Sequence, residues 1–257
     1  MIGRVKTERQ SKGAVGEPKI GQRAMSHELK AIHTHALDFW FARSSVVVIV
    51  VLQLLIVNKL TLGPRWLAPA LEVALLVPLS FGTAWTQGLA RDATSHQHWL
   101  DVARARKIIR TLALSLTVLV TVMNFGSLLY LVKALLGGHA GSSGQSLLLD
   151  AINIWGTNVI AFALWFWSID RGGPASKGLT TVGEDDFLFP QMTIRACDDW
   201  TPGFTDYLYL SFTNASAFSP TDTMPLSERA KLLMMAESAI SLLTLALVAA
   251  RAVNILN

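Results

Sequence analysis

The amino-acid sequence predicts an all-α integral membrane protein with five transmembrane helices and one re-entrant half-helix, or a sixth short span in its place. The chain of 257 residues is 51% hydrophobic and only 16% charged, which is more apolar than a soluble domain of this size. Apolar runs of about 18 residues or more recur along it, and each can cross roughly 30 Å of hydrocarbon as a helix. The runs are continuous and do not alternate with period two, which excludes the strands of a transmembrane barrel.

The residues before the first apolar run are predicted to lie outside the bilayer core. Residues 1–25 are basic and contain almost no large apolar side chain, so we expect a flexible arm. Residues 26–44 carry apolar side chains at helical spacing behind a candidate N-cap, Ser26. This pattern predicts a short amphipathic helix at the membrane interface.

Five apolar segments are predicted to span the membrane. The first three form an N-terminal bundle over residues 45–136, and the last two belong to a module over residues 147–255 that contains a loop over 170–205. Tryptophans near the segment ends support these limits, because the amphipathic indole prefers the headgroup level. The five predicted spans are Ser45–Leu62, Trp66–Leu89, Ile108–Leu136, Leu147–Ser168 and Ala230–Ile255.

The lysines and arginines set the predicted orientation. Thirteen of them precede the first span or lie between residues 91 and 110, whereas three lie on the opposite side of the first four spans. Because cytoplasmic loops are enriched in these residues, we expect a cytoplasmic N-terminus in a bacterial-type inner membrane. The net charge of +4 fits such loops, so the expected partner is the lipid bilayer and no nucleic acid is predicted.

The stretch "DYLYLSFTNASAFSPTDTMP" separates the last two predicted spans. Thr205 or Asp206 can cap a helix that starts with apolar residues, and Pro220 ends the pattern. About a dozen residues are too few for a comfortable crossing, so they suit a half-helix that enters and leaves on one side. We therefore expect residues 206–222 to line a cavity or to pack inside a bundle.

This stretch and the last span resemble the pore helix, filter and inner helix of the two-helix potassium-channel superfamily, over about residues 147–255. The matching positions are Leu210, Ser211 and Phe212 in the pore helix, Asp222 at the close of the filter, and then Pro225, Glu237, Ala250 and Arg251. The resemblance implies a homo-oligomer, a tetramer, with the 206–222 segment near its axis. The whole chain is also similar to uncharacterised bacterial multi-span proteins that carry a Phe-Pro loop before a "DFLYFSF" segment.

The filter itself departs from that family, because its glycines are missing. The residues in place of Thr-Val-Gly-Tyr-Gly are Ala217, Phe218, Ser219, Pro220 and Thr221. Neither serine nor proline reproduces the glycine backbone of a carbonyl filter. We therefore expect an ion channel of non-potassium or weak selectivity, whose permeating ion stays unassigned. The candidate ion-contacting oxygens and charges belong to Asn214, Ser216, Ser219, Thr221, Asp222 and Glu237.

The predicted orientation differs from that of potassium channels, whose pore loop enters from outside. Either the count of basic residues misassigns the two sides, or the module is inverted in this protein, or residues 205–222 cross the membrane as a sixth span. The length of the segment favours the re-entrant form.

Polar residues within the predicted spans are further candidates. Asp150, Asn153, Thr157 and Asn158 share one face of the fourth span, and Asn124 belongs to a similar stripe on the third. Polar groups in hydrocarbon cost several kcal/mol when they are unpaired, so we expect these stripes to face each other or water. They serve either as hydrogen bonds between helices or as part of a transport path.

Two acids, Glu72 and Glu237, lie about two turns inside their spans, where an ionisable residue indicates a functional site. They leave two alternatives to a channel. One is a non-conducting membrane scaffold or sensor that uses the pore frame for packing, and the other is a proton-coupled carrier that uses Glu72. No enzyme, cofactor or metal site is predicted, since catalytic motifs are missing and both His-x-His pairs would project apart on a helix.

Overall fold

The computed structural model describes residues 40–54, 69–74, 77, 96–136, 144–170, 185–194, 200–216 and 222–256, and this part of the chain is mostly helical. Its helices are α1 (Trp40–Leu54), α2 (residues 69–74), α3 (His96–Leu136), α4 (Gly144–Ile169), α5 (Phe204–Ser216) and α6 (Glu228–Leu256). Two short strands, β1 (Phe187–Leu188) and β2 (Met224–Pro225), pair antiparallel with Phe187 opposite Pro225. A turn of 3-10 helix covers Pro190–Thr193.

Three of the described helices are long and apolar enough to cross a membrane, which agrees with an integral membrane protein. The candidate spans are Lys107–Leu135 in α3, Leu148–Ile169 in α4 and Glu228–Ala250 in α6. They match the last three spans predicted from the sequence. The first two predicted spans are described only over residues 45–54 and over 69–74 with residue 77, so they stay predictions.

Two boundaries differ from those the sequence suggested. The predicted interfacial helix is described only from residue 40, and α1 passes from Trp40 through residues 44 and 45 without a break. Its two serines donate to carbonyls one turn back, Ser44 Oγ to Trp40 O at 2.9 Å and Ser45 Oγ to Phe41 O at 3.0 Å. Because these hydroxyls are satisfied within the helix, they do not end it.

The second difference lies before the third span, where the basic stretch 91–110 was expected as a loop. Helix α3 begins at His96 and includes most of that stretch. The residues from His96 to Arg110 contain no glycine or proline and several good helix formers, so nothing in the local sequence stops the helix at the membrane boundary.

Helix α6 is polar on its buried face and apolar on its exposed face. Glu237, Ser241 and Thr244, which recur at helical spacing, are buried against the rest of the protein. The exposed face carries the large apolar side chains Leu232, Met235, Leu242 and Leu243. This polarity is the reverse of that in a water-soluble helix and suits a helix whose outer face meets hydrocarbon.

Helix α4 lies at the centre of the described bundle, where it packs against α3, α5 and α6. Aromatic side chains fill the end of the core near its C-terminus. Phe187, from the loop after α4, packs edge-on against Phe166 at 5.2 Å between ring centroids. Phe189 packs in the same way against Tyr207 of α5 at 5.3 Å. The loop residues 187–189 are therefore part of the core and hold α5 to the end of α4.

Side-chain caps fix where α5 and α6 begin. The Asp206 carboxylate reaches back to accept the Gly203 backbone N–H at 2.7 Å, so α5 begins at Phe204, one turn before the apolar run. Ser227 Oγ accepts the N–H of Ala230 at 3.2 Å and caps α6. The sequence had suggested Asp206 as the residue before the helix. The structure places it as the third residue of α5, from where its carboxylate caps the N–H of Gly203.

Two buried aspartates connect the starts of α5 and α6 to the end of α4, and we call this set of contacts the loop clamp. Asp170, just after α4, accepts the Tyr207 hydroxyl at 2.5 Å and the backbone N–H of Asp186 at 2.8 Å. Asp186 accepts two bonds from Arg229, at 2.6 and 2.8 Å, and one from Ser227. Both ends of the segment from α5 to α6 are thus attached to the same end of α4.

We expect the Tyr207→Phe variant to lose stability, because it removes the hydroxyl donor from the buried Asp170 carboxylate. A hydrogen bond to a charged group contributes roughly 1.5–3 kcal/mol, so the free energy of unfolding should fall by about that amount. Thermal and denaturant unfolding of the detergent-solubilised protein, followed by tryptophan fluorescence, measures it. Tyr209→Phe is the matched control, since Tyr209 lies on the same helix with 59% of its surface exposed; equal losses in both variants would contradict the loop clamp.

Candidate functional site

The inner face of α5 meets a buried acid on α6. Glu237 is fully buried, and its carboxyl lies between two side chains of α5. Its Oε1 is hydrogen-bonded to Ser211 Oγ, and its Oε2 accepts the Asn214 side-chain amide at 2.6 Å. Ser211 and Asn214 are three residues apart and share one helix face, so α5 is hydrogen-bonded to both carboxyl oxygens of Glu237.

Helix α4 completes this arrangement from the other side. Asn158 donates its amide to Ser241 Oγ at 2.9 Å and to the backbone carbonyl of Glu237 at 3.3 Å. Ser211 Oγ lies 2.6 Å from the Val159 carbonyl oxygen, which links α5 to α4. We call the set Asn158, Ser211, Asn214, Glu237 and Ser241 the Glu237 network. It joins three helices through buried polar groups.

Both the nitrogen and the oxygen of the Asn214 side-chain amide are hydrogen-bonded to α6. Its nitrogen also donates to the Met234 carbonyl at 3.0 Å, and its side-chain oxygen accepts the Ser238 hydroxyl at 3.2 Å. Ser216, the last residue of α5, donates its hydroxyl to the carbonyl of Phe212 in its own helix at 2.6 Å. The structure therefore places these two pore candidates in contact with protein groups of the same chain.

Of the remaining filter candidates, only Asp222 lies within the described residues. Residues 217–221, which the sequence aligned with the potassium filter, lie outside the described residues. Asp222 is described, and its side chain is exposed shortly before β2. The two residues that flank the stretch are therefore one helix terminus, Ser216, and one exposed acid, Asp222.

The polar stripe predicted on α3 and α4 is buried. Asn124 of α3 donates to the Ile154 carbonyl of α4 at 3.1 Å, and Asn153 and Thr157 are buried on α4. Closer to the C-terminus of α4, Trp165 donates its indole N–H to Thr121 Oγ1 of α3 at 3.0 Å. These contacts join α3 to α4 by hydrogen bonds, as the spacing had suggested.

The three acids that the sequence predicts within spans are all buried, and they lie on three different helices. Glu72 of α2 is fully buried and accepts the Gln53 side-chain amide of α1 at 2.9 Å. Asp150 is buried near the start of the span in α4, about two turns before Asn158. The structure brings Glu237 together with two other predicted site residues, Asn158 and Asn214.

Two parts of this arrangement were not singled out from the sequence. Ser241 and Thr244 follow Glu237 at i+4 and i+7, and that spacing on an otherwise apolar helix could have identified the buried face. The loop clamp gave no such signal, because Asp170, Asp186 and Arg229 are far apart in the chain. Within the described residues, no group of three or more histidine, cysteine or acidic side chains is arranged to hold a metal ion.

Comparisons with known proteins return no match, either to a protein-family model, to a curated protein sequence or to a solved structure.

We expect the Asn214→Leu variant to destabilise the protein, because leucine has a similar size but leaves Glu237 Oε2 buried without its donor. The cost of such an unsatisfied group is roughly 1–3 kcal/mol in the free energy of unfolding. Thr213→Val provides the matched control, since the Thr213 hydroxyl bonds only to carbonyls of its own helix, at 2.9 and 3.0 Å. Denaturant titration of both variants measures the difference, and an unchanged Asn214→Leu midpoint would remove Asn214 from the Glu237 network.

Proposed function

We propose that the chain is a channel-like membrane protein in which copies of residues 206–222 meet near the axis of a homo-oligomer. The observation that carries the proposal is the attachment of both ends of this segment to one end of α4. Tyr207, near the start of α5, bonds to Asp170, and Ser227, just before α6, bonds to Asp186, whose backbone N–H is held by the same Asp170. This supports a segment that enters the bilayer and returns to the side from which it came.

The length of α5 supports the same arrangement. Its 13 residues extend about 20 Å, less than the roughly 30 Å of hydrocarbon in a bilayer. Asn214, in its last turn, contacts Glu237, the tenth residue of α6. The C-terminal end of α5 would therefore lie inside the bilayer, at the depth of the tenth residue of α6.

In this proposal the Glu237 network supports the loop and does not contact the ion. The Asn214 amide and both carboxyl oxygens of Glu237 already have protein partners, so they hold the end of α5 at a fixed depth. Ion contacts then belong to Ser219 and Thr221 in the stretch after α5 and to the exposed Asp222. Without glycines, that stretch favours weak or non-potassium selectivity.

The exposed apolar faces support assembly in a bilayer. Phe212 on α5 and Met235 on α6 are exposed in a single copy, at 50% and 67% of their surfaces. In the proposed tetramer, neighbouring copies and lipid share these faces. If the N-terminus is cytoplasmic, four spans bring the end of α4 back to the cytoplasm. The half-helix would then enter from that side, inverted relative to potassium channels.

A non-conducting scaffold or sensor is the second candidate. It is favoured by the observation that the side chains of Asn158, Asn214 and Glu237 are hydrogen-bonded to one another or to neighbouring helices. Polar contacts of this kind commonly hold helices together without a transport role. In this case the basic arm of residues 1–25 would recruit a cytoplasmic partner or anionic lipid.

We expect the purified protein in liposomes to conduct ions when potassium, sodium, chloride and protons are offered in turn. The Ser219→Leu variant should abolish the flux, because the new side chain is large and apolar. The yield of folded protein should not change. Ser115→Leu is the matched control, since Ser115 lies exposed within the span of α3. A wild-type protein that passes no ion under any gradient would instead favour the scaffold.

A second expectation concerns the axis. With the single native cysteine, Cys197, replaced by alanine, an Asp222→Cys variant should form disulfide-linked dimers in membranes on oxidation, because copies of Asp222 meet near the axis. A Ser115→Cys variant, on the outer face of α3, should stay monomeric on the same gel. Dimers from position 115 and none from position 222 would place the axis elsewhere.

A further inference from the structure

The surroundings of the Glu237 carboxyl contain no described cation that pairs with it. Its hydrogen-bond partners from α5 are a hydroxyl and an amide, and α4 contributes the Asn158 amide to its backbone carbonyl. The titratable residues with described side chains on α6, on the helices that pack against it and directly after α4 are Lys107, Arg110, Tyr130, Lys133, Asp150, Asp170, Asp206, Tyr207, Tyr209, Glu228, Arg229 and Lys231. None of them is a hydrogen-bond or ion-pair partner of Glu237 in the described part of the chain.

The hydrogens around Ser211 can be counted. Its Oγ lies within hydrogen-bonding distance of two acceptors, the Val159 carbonyl at 2.6 Å and Glu237 Oε1. A serine hydroxyl has one proton, so it can donate to only one of them. If Glu237 is a carboxylic acid, its Oε1–H donates to Ser211 Oγ, and Ser211 donates to Val159. Each contact then has one proton, and Oε2 still accepts from Asn214.

The alternative, an ionised Glu237, leaves one contact without a proton. It also buries a negative charge with no described counter-charge, which is costly in a low-dielectric interior. Both observations, the proton count and the neutral surroundings, lead to the same chemical form.

We infer that Glu237 is held as a neutral carboxylic acid whose proton completes the link from α6 through Ser211 to α4. The inference concerns a site within the proposed channel. Any effect of this proton on ion flux rests on that proposed function. When hydroxide removes the proton as water, the Ser211 hydroxyl turns to the carboxylate and the Val159 carbonyl loses its bond from α5. Alkaline pH therefore removes one hydrogen bond between α5 and α4, while the loop clamp still holds the start of α5.

Infrared spectroscopy of the intact protein in lipid nanodiscs tests this form directly. We expect the carbonyl-stretch band of a protonated carboxylic acid at neutral pH in the wild type and its loss at alkaline pH. The Glu237→Gln variant should lose the part of that band that comes from Glu237, because its amide can donate to Ser211 and accept from Asn214 but cannot ionise. Glu228→Gln is the matched control, an exposed acid on the first turn of the same helix, and it should retain the band.

Ser211→Ala provides a second variant in case Glu237→Gln fails to fold. It keeps the acid but removes the acceptor of its proton, so the band should remain and shift in frequency. The melting temperature should fall with rising pH in the wild type, and that fall should be lost in Glu237→Gln. Identical infrared spectra of wild type and Glu237→Gln at neutral pH, or an unshifted band in Ser211→Ala, would overturn the inference.

The infrared readout needs no ion flow. A protein that shows the expected band but no flux would support the neutral acid and contradict the channel. Flux without the band would support the channel and contradict the neutral acid.

Discussion

The burial of one carboxyl group inside a membrane bundle governs how the last three described helices fit together. Glu237 can lie there only if both its oxygens and the groups around them are hydrogen-bonded. Ser211 and Asn214 meet that requirement from α5, and Asn158 connects α4 to the same turn of α6. A displacement of α5 by one residue would rotate its polar face away from the acid, so the rotation of α5 and its position along α6 are both fixed.

Polar groups hold this protein together at two levels of different character. In the middle of the bundle the contacts are among uncharged amides, hydroxyls and one acid, with apolar side chains facing outward. At the end of α4 they involve Asp170, Asp186 and Arg229, whose side chain is 60% exposed. Helices gain no hydrophobic drive to associate within lipid, so such bonds and close packing determine their arrangement. Of the charged groups at the end of α4, the two carboxylates are buried and the Arg229 side chain reaches solvent.

The sequence predicted the features that depend on short-range pattern. The last three spans follow from length and apolarity, and the buried stripe of α4 follows from polar residues at helical spacing. The partners of those residues could not be predicted, because Asn158 and Ser241 are 83 positions apart and nothing local relates them. The continuation of α1 through residues 44 and 45, and of helix α3 over most of the basic stretch 91–110, has a different reason. Apolarity indicates where lipid begins, but a helix ends only where its backbone is interrupted, and residues 40–54 and 96–110 contain no interruption.

Helix α5 also constrains the order in which the chain can be assembled. During synthesis α5 is made before α6, yet Met234 and Glu237, to which Asn214 donates, lie 20 and 23 residues further along. With 13 residues, α5 by itself is too short to cross the hydrocarbon core, and Asn214 lacks these two acceptors until α6 has been made. The placement of α5 therefore depends on the helix that follows it in the chain.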